Sequence, residues 1–575
     1  MAQNGGLVRD GPYQGRQIPT SLLHTSPVAL HRERRELPLD LIQRIISYIE
    51  DVGDIARVTR SSRLFYYMAL PRLYESVTLK SYPELRYIDG QVEGYGGGSP
   101  FSMGLNGLVT RNVAAYVRKW SVQGEWRERD VEEFSKGRIP DNSMMLNIAI
   151  RAAMDRMAIL ESFSWGLNAK PMPTIYQGLA GRSTLRSLTI KSPTQRLIRP
   201  TCLVPPIPSL KSLKVTDIDP LCYPDDFSLL LLQSKNLEEL NLHWSPRMRE
   251  QGEPSINLHS IFGKCIAAGY RMPLKRVGIQ NLYAINHGEL PHCIQHEKLE
   301  RISFINNVDS SNPKTIFFDR TWIHPNNMKD VPKNLKMMRG EALSREHAEM
   351  VSRIKGLEEF YVINKKGASR KATPNGGSSA GNSGPTVVSP ATPGNSEPPT
   401  PSLSHEECVG VASDYLGVLS RDHGPSLRIL LLSDQWHLGE TAVTNLMRSC
   451  PNLEQIGLAL EDNNIDILRK MMPLAPKLYA IRLLISLSES LWEKIVNIED
   501  DLHVLAMSHE LWRDVYKNIR WVGMGRKAYK VGGIIRDEDK NPPRGSSGFV
   551  RSVKPTSWEE ASCIEIFGLD CMELV

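Results

Sequence analysis

The sequence predicts a mixed α/β chain, in which a small helical module at the start is followed by an irregular array of strand–helix units. Three observations carry that expectation. Between Leu37 and Leu79 two apolar series run at helical spacing. From Leu160 onward the short form apolar-x-x-apolar-x-apolar returns at near-constant intervals. Residues 365–404 are a Gly-, Ser-, Pro- and Thr-rich tract without apolar periodicity, after which the same form resumes.

The helical module begins with Leu41, Ile42, Ile45, Ile46 and Ile49, which share helical spacing, and Pro38 and Asp40 suit a first turn. A polar break at Glu50 to Asp54 precedes Ile55, Val58, Leu64, Phe65, Met68 and Leu70, and Pro71 is expected to stop the run. Two or three short helices cannot bury both faces of each, because domains below roughly 40 residues seldom stand alone. Some apolar surface is therefore left for a partner. Leu37-Pro38, Leu41-Ile42, Ile45-Ile46, Tyr48-Ile49, Asp54-Ile55 and Ser62-Arg63-Leu64-Phe65 stand in register with the motif of the F-box family, and the segment resembles an F-box. The resemblance covers 37–79 of 575 residues, with Ser61-Ser62 where the family commonly has Val-Cys. Ala69 to Val77 is similar to the segment that follows the box in many fungal F-box proteins. The resemblance implies docking on a Skp-family adaptor through Leu37, Pro38, Leu41, Ile42, Ile45, Ile46 and Ile49. The plain alternative is a helical hairpin that caps the next domain.

The repeating form starts at Leu160, Leu185, Leu210, Leu237, Leu274, Leu299, Leu357, Leu427, Leu453 and Leu478, after a first strand at Val117 to Val122 and a helix at Met144 to Leu160. Spacings of 25, 25, 27, 37, 25, 58, 70, 26 and 25 put most units inside the 20–29 residue window of leucine-rich repeats. The 37-residue interval holds a helical stretch from Ile256 to Gly269, the 58-residue one a degenerate unit near Leu335, and the 70-residue one the linker. The pattern resembles the irregular leucine-rich repeats that follow many F-boxes, although the family's Asn recurs only at Asn168 and Asn307. A curved α/β solenoid follows, over residues 108–362 and 405–575. In each unit the fourth and sixth residues, such as Leu188 and Ile190, Leu213 and Val215, Leu240 and Leu242, Ile302 and Phe304, stack as a core. The third and fifth face out, so Lys214, Glu239, Asn241, Arg276, Arg301, Glu359, Tyr361 and Arg482 are the candidate target-binding residues.

Tyr82 to Ile88 is expected to form a short element, and Gly94 to Gly104 a Gly-rich loop with no P-loop Lys-Ser/Thr. Residues 1–35 and 365–404 are expected to be disordered. The Thr373-Pro374, Ser389-Pro390, Thr392-Pro393 and Thr400-Pro401 pairs suit proline-directed phosphorylation, and a linker of this composition also makes such pairs by chance. Leu491 to Val496 is read as helical, Asn518 to Gly525 as a last repeat strand, and Ser557 to Asp570 as a strand that caps the array's edge.

Composition excludes several classes. A net charge of +6, from 70 basic and 64 acidic residues, is small for this length and does not demand an anionic partner. Eight cysteines without a C-x-x-C pair, and no N-x-S/T acceptor, fit a reducing compartment, cytoplasmic or nuclear. No 18-residue apolar run suggests a membrane span. Gly377 to Gly381 fits G-x-S-x-G but lacks the strand and helix that make an elbow, and His287, His292, Cys293 and His296 match no zinc spacing. No catalytic residue, cofactor or metal is assigned. Arg182, Arg186, Lys191, Arg196, Arg199, Lys211 and Lys214 form a mildly basic stretch, but sparse aromatics and the absence of any nucleic-acid-binding signature argue against nucleic acid. The expectation is a non-catalytic substrate receptor of an SCF-type cullin–RING ubiquitin ligase. The alternative is an F-box scaffold that delivers no target.

Overall fold

The computed structural model describes residues 37–82, 86–88, 91–93, 99–251, 253, 256–285, 291–305, 332–340, 345–363, 405–461, 465–485, 500–536 and 548–574. The predicted leader, the linker with its Ser/Thr-Pro pairs, the Gly377–Gly381 motif and the helix at Leu491 lie outside them. The chain forms two compact units, Met1–Leu73 and Tyr74–Val575.

In the first unit, α1 (Leu39–Ser47), α2 (Val52–Ser61) and α3 (Arg63–Leu73) pack around Ile46, Ile55 and Ala69. Ile42, Ile49, Val58, Phe65, Met68 and Leu73 close against that core. Asp51 caps α2 by accepting from the Asp54 amide at 2.7 Å, so the expected polar break shrinks to a single turn. Ser62 is extended and its hydroxyl accepts from the Phe65 amide at 3.1 Å. The serine that departs from the F-box pattern thus caps α3. Pro71 does not stop α3, which runs on to Leu73.

The second unit is organised by one 17-stranded sheet. Its strands are β1 (Ser76–Ser81), β2 (Lys119–Gly124), β3 (Ser162–Leu167), β4 (Ser187–Lys191), β5 (Ser212–Ile218), β6 (Glu239–Trp244), β7 (Arg276–Gln280), β8 (Arg301–Ile305) and β9 (Met337–Gly340). There follow β10 (Glu359–Val362), β11 (Ile429–Leu431), β12 (His437–Leu438), β13 (Gln455–Leu460), β14 (Ala480–Leu483), β15 (Trp521–Met524), β16 (Lys527–Arg536) and β17 (Phe549–Thr556). Apart from the short β12, which pairs with the end of β13, neighbours in sequence pair in parallel from β1 to β15. β15 to β17 are antiparallel.

Each strand starts two residues after the leucine that opens its unit, and Leu160, Leu185, Leu210, Leu237, Leu274, Leu299, Leu357, Leu427, Leu453 and Leu478 are all buried. Helices such as Pro173–Ala180, His259–Ala267 and Glu440–Ser449 lie between strands, and their apolar residues are buried. The result is a leucine-rich-repeat-like α/β array. The degenerate unit near Leu335 is β9, and the last repeat strand is β15. Asn168 accepts from the Trp126 amide at 2.6 Å, while Asn307 lies outside the described residues.

Several boundaries move. The array begins at β1, because Tyr74-x-x-Val77-x-Leu79 already has the repeating form and β1 pairs with β2, so residues 76–81 belong to the sheet. Residues 86–88 and 91–93 pair as two short antiparallel strands. Pro100 starts a helix to Thr110, capped by Ser99, where a glycine loop was expected. The helix expected at 144–160 spans Asp141–Asp155. Phe304 is only half-buried, while the buried residue at the end of β8 is Ile305, on the face of Arg301 and Ser303, where it meets Leu574.

The largest correction concerns the C-terminus. The array's edge is capped by the β16–β17 hairpin, which supplies backbone partners to β15. Ser557 to Asp570 is not a strand. It forms two short helices, Trp558–Ala561 and Glu565–Gly568, and residues 565–574 then run across the face of the sheet.

Candidate interaction surfaces

In α1 the apolar residues fall on two stripes. Ile42, Ile46 and Ile49 face the three-helix core, with Ile46 buried. Leu41, Ile45 and Tyr48 recur at intervals of four and three, which places them on another stripe, and with Leu37 just ahead of the helix all four are exposed, Ile45 to 56% and Tyr48 to 72%. Of the seven predicted adaptor-binding residues, Leu37, Pro38, Leu41 and Ile45 are thus available to a partner. Ile46 is not, and Ile42 and Ile49 are half-buried supports. Sequence spacing alone did not separate the stripes, because both obey the helical period. Val52, Leu64, Tyr66 and Tyr67 are further exposed apolar residues in this unit.

On the sheet, register aligns the third and fifth residues of the units into two rows that cross every strand. One runs Ser76, Lys119, Ser162, Ser187, Ser212, Glu239, Arg276, Arg301, Met337, Glu359, Ile429, Gln455, Ala480 and Trp521. The other passes through Lys214, Asn241, Gly278, Ser303, Arg339, Tyr361, Leu431, Gly457, Arg482 and Gly523. Both rows were expected to be open. Residues 565–574 of the same chain lie over the second row at Lys214, Gly278, Arg339, Tyr361, Leu431, Arg482 and Gly523, and over the first at Met337, Ile429, Gln455, Ala480 and Trp521.

The cover is apolar at one end and polar along its length. Ile566 and Phe567 are fully buried on Met337, Tyr361, Ile429, Leu431, Ala480 and Trp521. Leu574 packs with Ile305 and Ile363. Between them, row side chains take up the segment's carbonyls. Arg339, 1% exposed, donates to the oxygens of Leu569 (2.8 Å), Cys571 (2.6 Å) and Glu573 (2.9 Å). Gln280 donates to Met572 O at 2.5 Å, and Lys214 to Leu574 O. Arg482 pairs with Asp570 at 2.7 Å and donates to Ile566 O at 2.9 Å. Burial pulls the Arg339 and Arg482 guanidinium pKa values down, and Asp570 opposes this at Arg482. Two row glycines permit the close approach: a Cβ at Gly523 would stand 2.5 Å from the Phe567 ring, and one at Gly278 3.0 Å from Leu574.

The eight predicted target-binding residues therefore divide. Tyr361 and Arg482 are buried under the C-terminal segment, Lys214 holds its carbonyl, and Asn241 is buried with its amide donating to Glu239. Burial pushes the Tyr361 hydroxyl pKa well up, with Glu359 beside it. Arg276 and Arg301 remain exposed, paired across strands with Glu239 (2.7 Å) and Glu359 (2.8 Å). Such surface pairs contribute about 0–1 kcal/mol. Missed in the sequence were Arg339, Gln280, Gln455 and the segment that they bind. A signal was present, since the third and fifth residues change from Ser and Thr in β3–β5 to Ile429, Leu431 and Ala480, which need a cover.

Among the described residues no group of three or more His, Cys, Asp or Glu could hold a metal ion. Of the weighed cluster, His292 is exposed, Cys293 and His296 are buried, and His287 lies outside the described residues. No described helix is long and apolar enough to cross a membrane. No protein-family model and no curated protein matches the chain. Among solved structures, the crystal structure of a TLR13–ssRNA13 complex aligns over 73% of this chain and 56% of that chain, with 12% identity and a TM-score of 0.26. At that score the alignment carries no argument here. This chain spans little more than half of that one.

Proposed function

We propose that the chain is the substrate-receptor subunit of an SCF-type cullin–RING ubiquitin ligase, which docks on a Skp-family adaptor through an F-box at 37–73. The observation that supports the reading is the exposed stripe Leu41, Ile45 and Tyr48 on a helix whose neighbouring stripe makes the core, with Leu37 exposed just ahead of it. An apolar ridge of this kind in a small helical unit calls for a partner. The resemblance of the segment to an F-box names which partner. The sheet then presents a target, and this chain's contribution to ubiquitin transfer is proximity, a raised effective concentration of target lysines near the conjugating enzyme. On this reading the protein works in the cytoplasm or nucleus.

The test is affinity purification of the full chain from cells, with and without Leu41→Asp/Ile45→Asp. The reading expects adaptor and cullin with the wild type and neither with the variant, and a target protein that accumulates when the variant replaces the wild type. Adaptor recovery without any accumulating protein favours the scaffold alternative. Equal adaptor recovery from both refutes the docking assignment.

A further inference from the structure

The C-terminal segment leaves part of the sheet face uncovered. Its last described contacts are at Lys214 and Gly278, and over β1–β4 the same rows continue without a cover among the described residues. Three rows run across β1–β5 here: Ser76, Lys119, Ser162, Ser187 and Ser212; Thr78, Ser121, Ser164, Thr189 and Lys214; Lys80, Gln123, Gly166, Lys191 and Thr216. The fifteen positions hold nine hydroxyls, four lysines, Gln123 and Gly166, and neither a carboxylate nor an aromatic ring. Ser76, Thr78, Lys80, Lys119 and Gln123 are exposed, and Lys191 is half-buried with Asp217 at 3.6 Å.

We propose that this open half of the face binds an acidic, extended peptide segment of a partner protein. The inference rests on the receptor reading above and names the chemistry of its target. Charge complementarity is the first argument: Lys80 and Lys119 are exposed and no carboxylate stands in the rows, although Asp217 lies beside Lys191, so the face favours an anionic chain, and the surrounding hydroxyls donate to carboxylates and carbonyls alike. The second is the neighbouring half of the same face, where Arg339, Gln280 and Lys214 already hold a segment of this chain by its carbonyls. The four inter-strand steps from β1 to β5, at about 4.8 Å each, match about six extended residues. The absence of aromatic side chains in the rows disfavours single-stranded nucleic acid, which is held largely by stacking on rings.

A random dodecapeptide display library, selected on the immobilised full-length protein without adaptor, tests the inference. A Lys80→Gln/Lys119→Gln/Lys191→Gln variant, checked for unchanged melting, runs in parallel. The expected result is enrichment of Asp/Glu-rich peptides on the wild type, with at least a tenfold weaker affinity of the best peptide for the variant. Absence of enrichment, enrichment without acidic bias, or equal binding to the variant overturns the proposal. So does a single-stranded RNA oligomer that binds more tightly than the best peptide and is lost from the same variant. Since no adaptor is present, failure here leaves the docking assignment intact, and failure of docking leaves this result intact.

Discussion

Phe567→Ala tests whether residues 565–574 are a fixed part of the sheet face. Phe567 is fully buried, meets Trp558 edge-on with ring centroids 5.6 Å apart, and lies 5.7 Å from the Arg482 guanidinium. Removing a buried phenylalanine side chain costs about 3–5 kcal/mol in lost transfer energy and cavity. Because the loss falls on the contact between segment and sheet, it favours local opening. At about 1.4 kcal/mol per tenfold, the open population rises by roughly a hundredfold to a few thousandfold. Hydrogen exchange reads this directly: the amide of Ile566, which donates to Gln455 at 3.2 Å, and that of Leu569, which donates to Glu565 at 2.8 Å, exchange faster by that factor. Phe549→Ala, at a ring 52% exposed, is the control and changes stability by no more than about 0.5 kcal/mol. Exchange in the segment that is indifferent to Phe567→Ala would refute the account of a covered face.

Four further outcomes follow from named contacts. Ile46→Ala destabilises the three-helix unit by about 2–5 kcal/mol, whereas exposed Ile45→Ala leaves it folded, as hydrogen exchange over 39–73 reads out. Arg339→Ala removes the donor to three part-buried carbonyls, at up to about 1–3 kcal/mol each before the saved desolvation of the guanidinium, so limited proteolysis releases the C-terminal segment from this variant first. Asp225→Ala strips the buried Lys170 of its carboxylate at 2.8 Å and Tyr176 of its acceptor at 2.9 Å, and denaturant unfolding shows a loss of about 3–5 kcal/mol. His423 is buried, its Nδ1 accepts from the Leu357 amide at 3.4 Å, and its Nε2 meets Val351 O at 2.9 Å, so burial holds its pKa below the ordinary value. The unfolded chain therefore binds this proton more readily, and stability falls as pH drops below about 6.5. His423→Gln flattens that part of the pH–stability profile.

The period of the array was legible because each unit must bury its opening leucine and alternate its strand residues, a rule that depends only on neighbours in sequence. Even the degenerate β9 announced itself through Leu335. What the chain did with its third and fifth residues was not legible in the same way, since burial of Tyr361, Arg339 and Arg482 depends on residues 566–574, up to some two hundred positions away. The tail's alternation of apolar and polar residues suited an edge strand equally well, until the β16–β17 hairpin is seen to occupy that edge. In the helical unit the period identified α1 but not its two stripes. Only packing against Ile55 and Ala69 separates Ile46 from Ile45.

The most direct test of the central claim is calorimetric titration of the purified full-length protein with a purified Skp-family adaptor. The account predicts saturable one-to-one binding with a negative heat-capacity change from apolar burial, abolished by Ile45→Asp and retained by Phe567→Ala. A wild-type protein that gives no binding heat at any temperature tested, or an Ile45→Asp protein that binds as tightly as the wild type, contradicts it.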